Sequence, residues 1–111
     1  MKIPMKRGEV WWVNFDPSVG GEIRKKRPAI ILSNDLSNRY LNRVQVVPLS
    51  SQVSKLYPCE TPIRFNGIES KAMADQLTTV SKLRLISKAG FISSEELAAV
   101  ERIVKLQLDL I

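Results

Sequence analysis

Apolar residues in this chain gather in short runs rich in β-branched and aromatic side chains, each halted by a turn signal; only the last has helical spacing. That pattern admits little besides a small bent sheet or barrel closed by one helix. Residues 9–15 (EVWWVNF) predict a strand with both faces covered. Asp16-Pro17-Ser18 then predicts a turn. Residues 28–33 predict a second strand, continuously apolar from Ala29 to Leu32 as a buried strand is. Residues 34–42 allow a short helix, capped by Asn34 or Asp35, or an irregular loop. Residues 43–49 read as a third strand, with Pro48 expected on an edge or near the strand end because it has no N–H to give.

Residues 50–55 leave the sheet as a polar loop. Residues 59–65 look like an edge strand ending in the turn Asn66-Gly67. Residues 70–80 read as one half-buried extended run, 81–84 as a helical turn and 85–92 as the last short strand. The tail is a helix. Ser93 and Glu96 form a capping box, and Leu97, Val100, Ile103, Val104, Leu108 and Ile111 make one apolar stripe, expected to pack on its own domain and to serve a partner as well if the protein dimerises. The fold class is therefore mainly β, with short helices and a C-terminal helix.

A chain of 111 residues fits one compact domain, here residues 1–111. Its net charge of +6 favours polyanions or an acidic protein as partners. There is no histidine, so the commonest general base and metal ligand is missing. Cys59 is the single cysteine, which excludes an internal disulfide and a cysteine-rich zinc site. Residues 1–7 carry no signal-like hydrophobic region, and no apolar run approaches the ~20 residues of a membrane helix. A cytoplasmic protein without metal or cofactor is the expectation. Catalysis, if present, must use carboxylates, cations, hydroxyls or backbone N–H groups.

One stretch concentrates the candidate chemistry. Gly20-Gly21 opens a loop, Glu22 follows, and Arg24, Lys25, Lys26 and Arg27 come next. Pro28 draws Arg27 towards extended backbone, where a buried strand meets solvent. A cation there can be held at fixed geometry. Taken alone, this stretch reads as a solvated basic loop, with Arg27 paired to Glu22.

Several motifs occur in order along the chain: Lys6-Arg7-Gly8-Glu9-Val10-Trp11, Asp16-Pro17, Gly20 to Glu22, Arg27-Pro28, Leu32-Ser33-Asn34-Asp35, Val47-Pro48-Leu49-Ser50-Ser51, Asp75-Gln76-Leu77 and Ser94-Glu95-Glu96-Leu97. Together they resemble the MazF/PemK toxins, the endoribonuclease halves of type II toxin–antitoxin systems, from about Lys6 to about Leu110. The resemblance implies a small SH3-like barrel with a C-terminal helix, and a homodimer that binds single-stranded RNA in a groove at its interface. It implies sequence-specific, metal-independent cleavage of mRNA, and an acidic MazE-like antitoxin that blocks the groove. The family's catalytic arginine falls on Arg27 and its catalytic hydroxyl on Ser50, where many relatives have threonine. Glu22 matches an acidic loop position linked to activity. Asp75 and Gln76 match an RNA-contacting segment. The chain departs from PemK-type members at Met73, where they carry arginine, and from many relatives at Thr78, where they carry a cation.

These residues suit cleavage by the RNA's own 2′-hydroxyl, which leaves a 2′,3′-cyclic phosphate and a 5′-hydroxyl. A guanidinium at Arg27 matches phosphate oxygens bidentately but is a poor base. Ser50 can hydrogen-bond the phosphate or orient the 2′-hydroxyl, with Ser51 beside it. Glu22 or Asp75 can accept a proton if its surroundings raise its pKa. Arg24, Lys25 and Lys26 suit phosphate contacts rather than base reading. Trp11 and Trp12 suit base stacking or core packing, with at least one expected in the core. Two other readings stay open: a CcdB-like gyrase poison, which would want a tryptophan that residues 107–111 lack, and a non-catalytic nucleic-acid-binding barrel.

Overall fold

A computed structural model describes residues 5–110. Seven strands, two α-helices and two 3-10 turns follow in the order β1 (Glu9–Asn14), β2 (Lys26–Ile31), α1 (Asp35–Tyr40), β3 (Arg43–Ser50), β4 (Glu60–Phe65), β5 (Ile68–Met73), β6 (Thr78–Ser81), β7 (Leu85–Phe91) and α2 (Ser94–Gln107). The 3-10 turns lie at Ala74–Gln76 and Lys82–Arg84. The strands pair antiparallel in the path β4-β5-β3-β2-β1-β7, with β6 also on β3. The result is a curled half-barrel sheet with a helix at its C-terminal end, the mainly β class expected from the run pattern.

Alternation along the central strands explains the two cores. Val10 and Ile30 point into one cluster with Val47, Leu49, Ile63, Val100 and Val104. Trp11, Val13, Ala29 and Ile31 point the other way, onto Val44, Val46 and Val80. The continuous apolar run of β2 thus serves both faces. Trp12 breaks the expectation for β1. It is 41% exposed, whereas Trp11 is 4% exposed. Trp11 is also tied polarly, because its indole N–H donates to Glu9 Oε1 at 3.0 Å. Glu9 is a buried carboxylate; burial pushes its pKa up, but hydrogen bonds from Lys88, the Lys6 N–H and Trp11 hold it below the usual range.

Pro48 lies third from the end of β3, where that strand changes partners. Val46 pairs with Thr78 of β6 and Leu49 with Ala72 of β5. The gap between the two ladders falls at Val47-Pro48, where a missing donor costs least. The extended run expected over 70–80 is broken. Its middle is the Ala74–Gln76 turn, which parts β5 from β6 and lets β6 reach the other half of β3.

Helix α1 forms, with the Asn34 side chain accepting from the Ser37 N–H at 2.9 Å. Helix α2 begins with the capping box in place. Its face of Leu97, Val100, Ile103 and Val104 packs on the core. Leu108 lies one residue past the helix and is 51% exposed, because the stripe outruns the helix; Ile111 lies outside the described residues. Glu96 does more than cap: its Oε2 accepts from the Arg64 N–H of β4 at 2.6 Å, which pins the helix start to the sheet.

Burial pushes the Glu96 pKa up, but the Arg64 and Ser93 hydrogen bonds outweigh it and hold the carboxyl below its ordinary value. A folded-state pKa below the unfolded one stabilises the fold above the unfolded pKa, and the contribution vanishes as pH falls through the folded pKa. Glu96→Gln should therefore lower the urea midpoint at pH 7 and change it little at pH 2. Ser93→Ala should cost about 1 kcal/mol at neutral pH.

Candidate active site

The register of β2 and β3 sets the central geometry. The β2–β3 ladder ends at the pair Ala29 and Pro48, and Arg27 and Ser50 each lie two residues beyond that end. Both line one open cavity of about 540 Å³. Lys25, Lys26, Ser51, Gln52 and Trp12 line it too. The turn of the β4–β5 hairpin forms the far wall with Asn66, whose side-chain amide donates to the Ala89 carbonyl of β7. A Cβ at Gly90 would lie 3.0 Å from Asn66 Nδ2 and would crowd this contact.

Arg27 is held by one edge only. Its Nε donates to the Arg24 carbonyl at 3.0 Å, and Glu22 is not its partner. The three ion pairs among the described residues join Arg7 to Glu101, Lys71 to Glu60 and Lys88 to Glu9. The terminal guanidinium nitrogens of Arg27 therefore remain available to an anion. Ser50 is 6% exposed. Its oxygen accepts from the Gln52 N–H at 3.1 Å, which leaves the hydroxyl proton to donate.

The loop between β1 and β2 separates this cavity from a second one of about 350 Å³. Glu22, Asp75 and Gln76 line the second cavity, with Ser18, Thr78, Thr79 and Arg84. The structure thus brings Arg27, Ser50, Ser51, Lys25 and Lys26 together but puts Glu22, Asp75 and Gln76 next door. Arg24 is exposed on the loop and lines neither cavity. Glu22 Oε1 accepts from the Val19 N–H at 2.7 Å. Gln76 braces the loop: its Oε1 accepts from the Ile23 N–H at 3.0 Å, and its Nε2 donates to the Gly21 carbonyl at 3.3 Å. At the loop's base, Arg84 donates to the carbonyls of Asn14 and Asp16 at 3.0 and 2.6 Å. Neither Arg84 nor the bracing role of Gln76 was visible in the sequence, because each acts across more than fifty residues.

Cys59 lies apart from both cavities, and burial, Asp75 and Glu60 all push its thiol pKa up, which disfavours the reactive thiolate. Among the described residues no three His, Cys, Asp or Glu side chains cluster as a metal site would need.

A family profile described as PemK-like, MazF-like toxin of type II toxin–antitoxin system matches residues 6–108. The chain belongs to the PemK/MazF toxin family. It is 36% identical over 115 residues to endoribonuclease MazF9 of Mycobacterium tuberculosis, covering 96% of this chain and 98% of that one. It is 34% identical over 95 residues to the endoribonuclease toxin MazF of Escherichia coli, covering 85% of each. The crystal structure of MazF from Deinococcus radiodurans superposes with a TM-score of 0.88 at 24% identity, covering 97% of this chain and 99% of that one. A mycobacterial endoribonuclease in complex with its cognate antitoxin superposes with a TM-score of 0.81 at 19% identity, covering 96% and 97%. Within this PemK/MazF architecture, the two cavities flank the loop that carries the basic run.

Proposed function

We propose that this chain is a single-domain, cytoplasmic toxin of a type II toxin–antitoxin system that cuts single-stranded RNA without a metal ion. The observation that carries the proposal is that Arg27 and Ser50, from the neighbouring strands β2 and β3, line one cavity with Lys25 and Lys26. The 2′-oxygen attacks the adjacent phosphorus and loses its proton. The P–O5′ bond breaks, and the leaving 5′-oxygen takes up a proton, giving a cyclic phosphate and a 5′-hydroxyl. Arg27 supplies paired N–H donors to the phosphorane oxygens, whose negative charge grows in the transition state. Ser50 donates its one available proton to the same group. Lys25, Lys26 and Ser51 hold neighbouring phosphates. Glu22, Asp75 and Gln76 face flanking nucleotides in the second cavity.

Support for a homodimer comes from exposed apolar side chains around the end of α1. Leu83 is 96% and Tyr40 71% exposed, on segments joined by the Lys82 N–H to Asn42 carbonyl bond. The antitoxin would be an acidic, MazE-like chain that covers the basic cavity and folds as it binds. Among the described residues no helix is long and apolar enough to cross a membrane.

Incubating the purified chain with a mixed RNA pool in EDTA and sequencing the cut ends tests the proposal. Short-motif cuts with 5′-hydroxyl ends are expected; retarded but uncut RNA would leave only a binding barrel. Ser50→Ala should slow cutting about tenfold, the worth of one lost hydrogen bond, with little change in RNA affinity.

A further inference from the structure

A lysine lies buried behind the candidate site. Lys71 of β5 is 6% exposed and is the register partner of Ser50. Its ammonium donates to Glu60 Oε1 and to the Lys55 carbonyl, both at 2.9 Å, and lies 5.5 Å from the centre of the Tyr57 ring. The same Glu60 oxygen accepts from the Tyr57 N–H at 2.9 Å. Residues 51–59 hold no strand or helix. Lys71 is thus the hub through which an irregular loop is tied to the sheet, because one ammonium offers three donors.

That loop is a partition. Ser51 and Gln52 face the Arg27 cavity, while Val53 and Leu56 face another cavity of about 350 Å³ on its other side. The Gln52 N–H is also the donor that orients the Ser50 hydroxyl. We propose that Lys71, with Glu60, is a positioning residue of the ribonuclease site: it fixes the path of residues 51–59, and through Gln52 the direction of the Ser50 hydroxyl. This rests on the ribonuclease reading above. Lys71 never meets RNA; its effect is on geometry alone, to which rate is steeply sensitive.

The test uses the full chain and the variant Lys71→Met/Glu60→Met, in which an apolar pair of similar size replaces the ion pair and keeps the fold. Thermal unfolding and circular dichroism establish that it is folded. Hydrogen exchange across residues 52–57 should speed up in the variant, and kcat on a defined RNA should fall severalfold, up to the about tenfold expected of Ser50→Ala, with KM within about twofold. In a Ser50→Ala background the same pair of substitutions should cost almost nothing further, because the group it positions is gone. A purely structural role would instead lower activity equally in both backgrounds. Equal kcat in the folded double variant and the wild type overturns the proposal alone. A wild-type chain that cuts no RNA overturns the ribonuclease reading beneath it. Unchanged exchange across 52–57 overturns the anchoring.

Discussion

Arg27→Ala should lower the rate of RNA cleavage by about a hundred- to a thousandfold, the loss expected when a transition-state donor is removed from a protected site. Arg27 lies one residue inside the start of β2, a strand that is buried from Ala29 onward. Its backbone is therefore rigid, and the bond from Nε to the Arg24 carbonyl fixes the plane of the guanidinium. In the proposed mechanism the two terminal nitrogens then meet phosphate oxygens as a preset fork. Arg27→Lys keeps the charge but not the fork, so most of the loss should remain. Single-turnover cleavage of one RNA, with binding measured separately, checks both variants. An Arg27→Ala protein that cuts at the wild-type rate would remove the residue from the chemistry.

Lys71→Met alone should destabilise the chain by about 3–5 kcal/mol, because it strands the Glu60 carboxylate in a buried setting. Both side chains are under a tenth exposed, at 8% and 7%. The melting temperature should fall by more than about 10 °C. Adding Glu60→Met should recover most of that loss, since the stranded charge is gone. The comparison separates the cost of an unpaired carboxylate from the net worth of the pair, which is small for buried ion pairs in general. Thermal melts of wild type, single and double variants decide it; a single variant as stable as wild type would mean the carboxylate is solvated after all.

Much of the fold was written locally. Ser93 and Glu96 announced the start of α2, and the run Ala29 to Leu32 announced a doubly covered strand. Arg27 was marked by Pro28 after it and by the family motif around it. What stayed hidden was non-local. Ala74-Asp75-Gln76 contains no glycine or proline, so nothing local announced the 3-10 turn that splits 70–80. Glu22 and Arg27 are five residues apart, yet they line different cavities, because Gln76 pins the loop at Gly21 and Ile23 from fifty-odd residues away. Lys71 read as one cation in a half-polar strand. Its partner Glu60 is eleven residues distant on the neighbouring strand, so only the register of β4 and β5 reveals the pair.

The proposed reaction takes its attacking oxygen from the RNA and uses Arg27 and Ser50, which line one cavity, only as donors to the phosphate. A single 2′-deoxy substitution tests this most directly. Once a cut site has been mapped, that one nucleotide, on the 5′ side of the scissile bond, is replaced in an otherwise unchanged RNA. Binding should persist within about twofold while cleavage at that bond disappears. Continued cleavage of the 2′-deoxy bond would show that the oxygen comes from elsewhere, and the roles assigned to Arg27 and Ser50 would have to be abandoned.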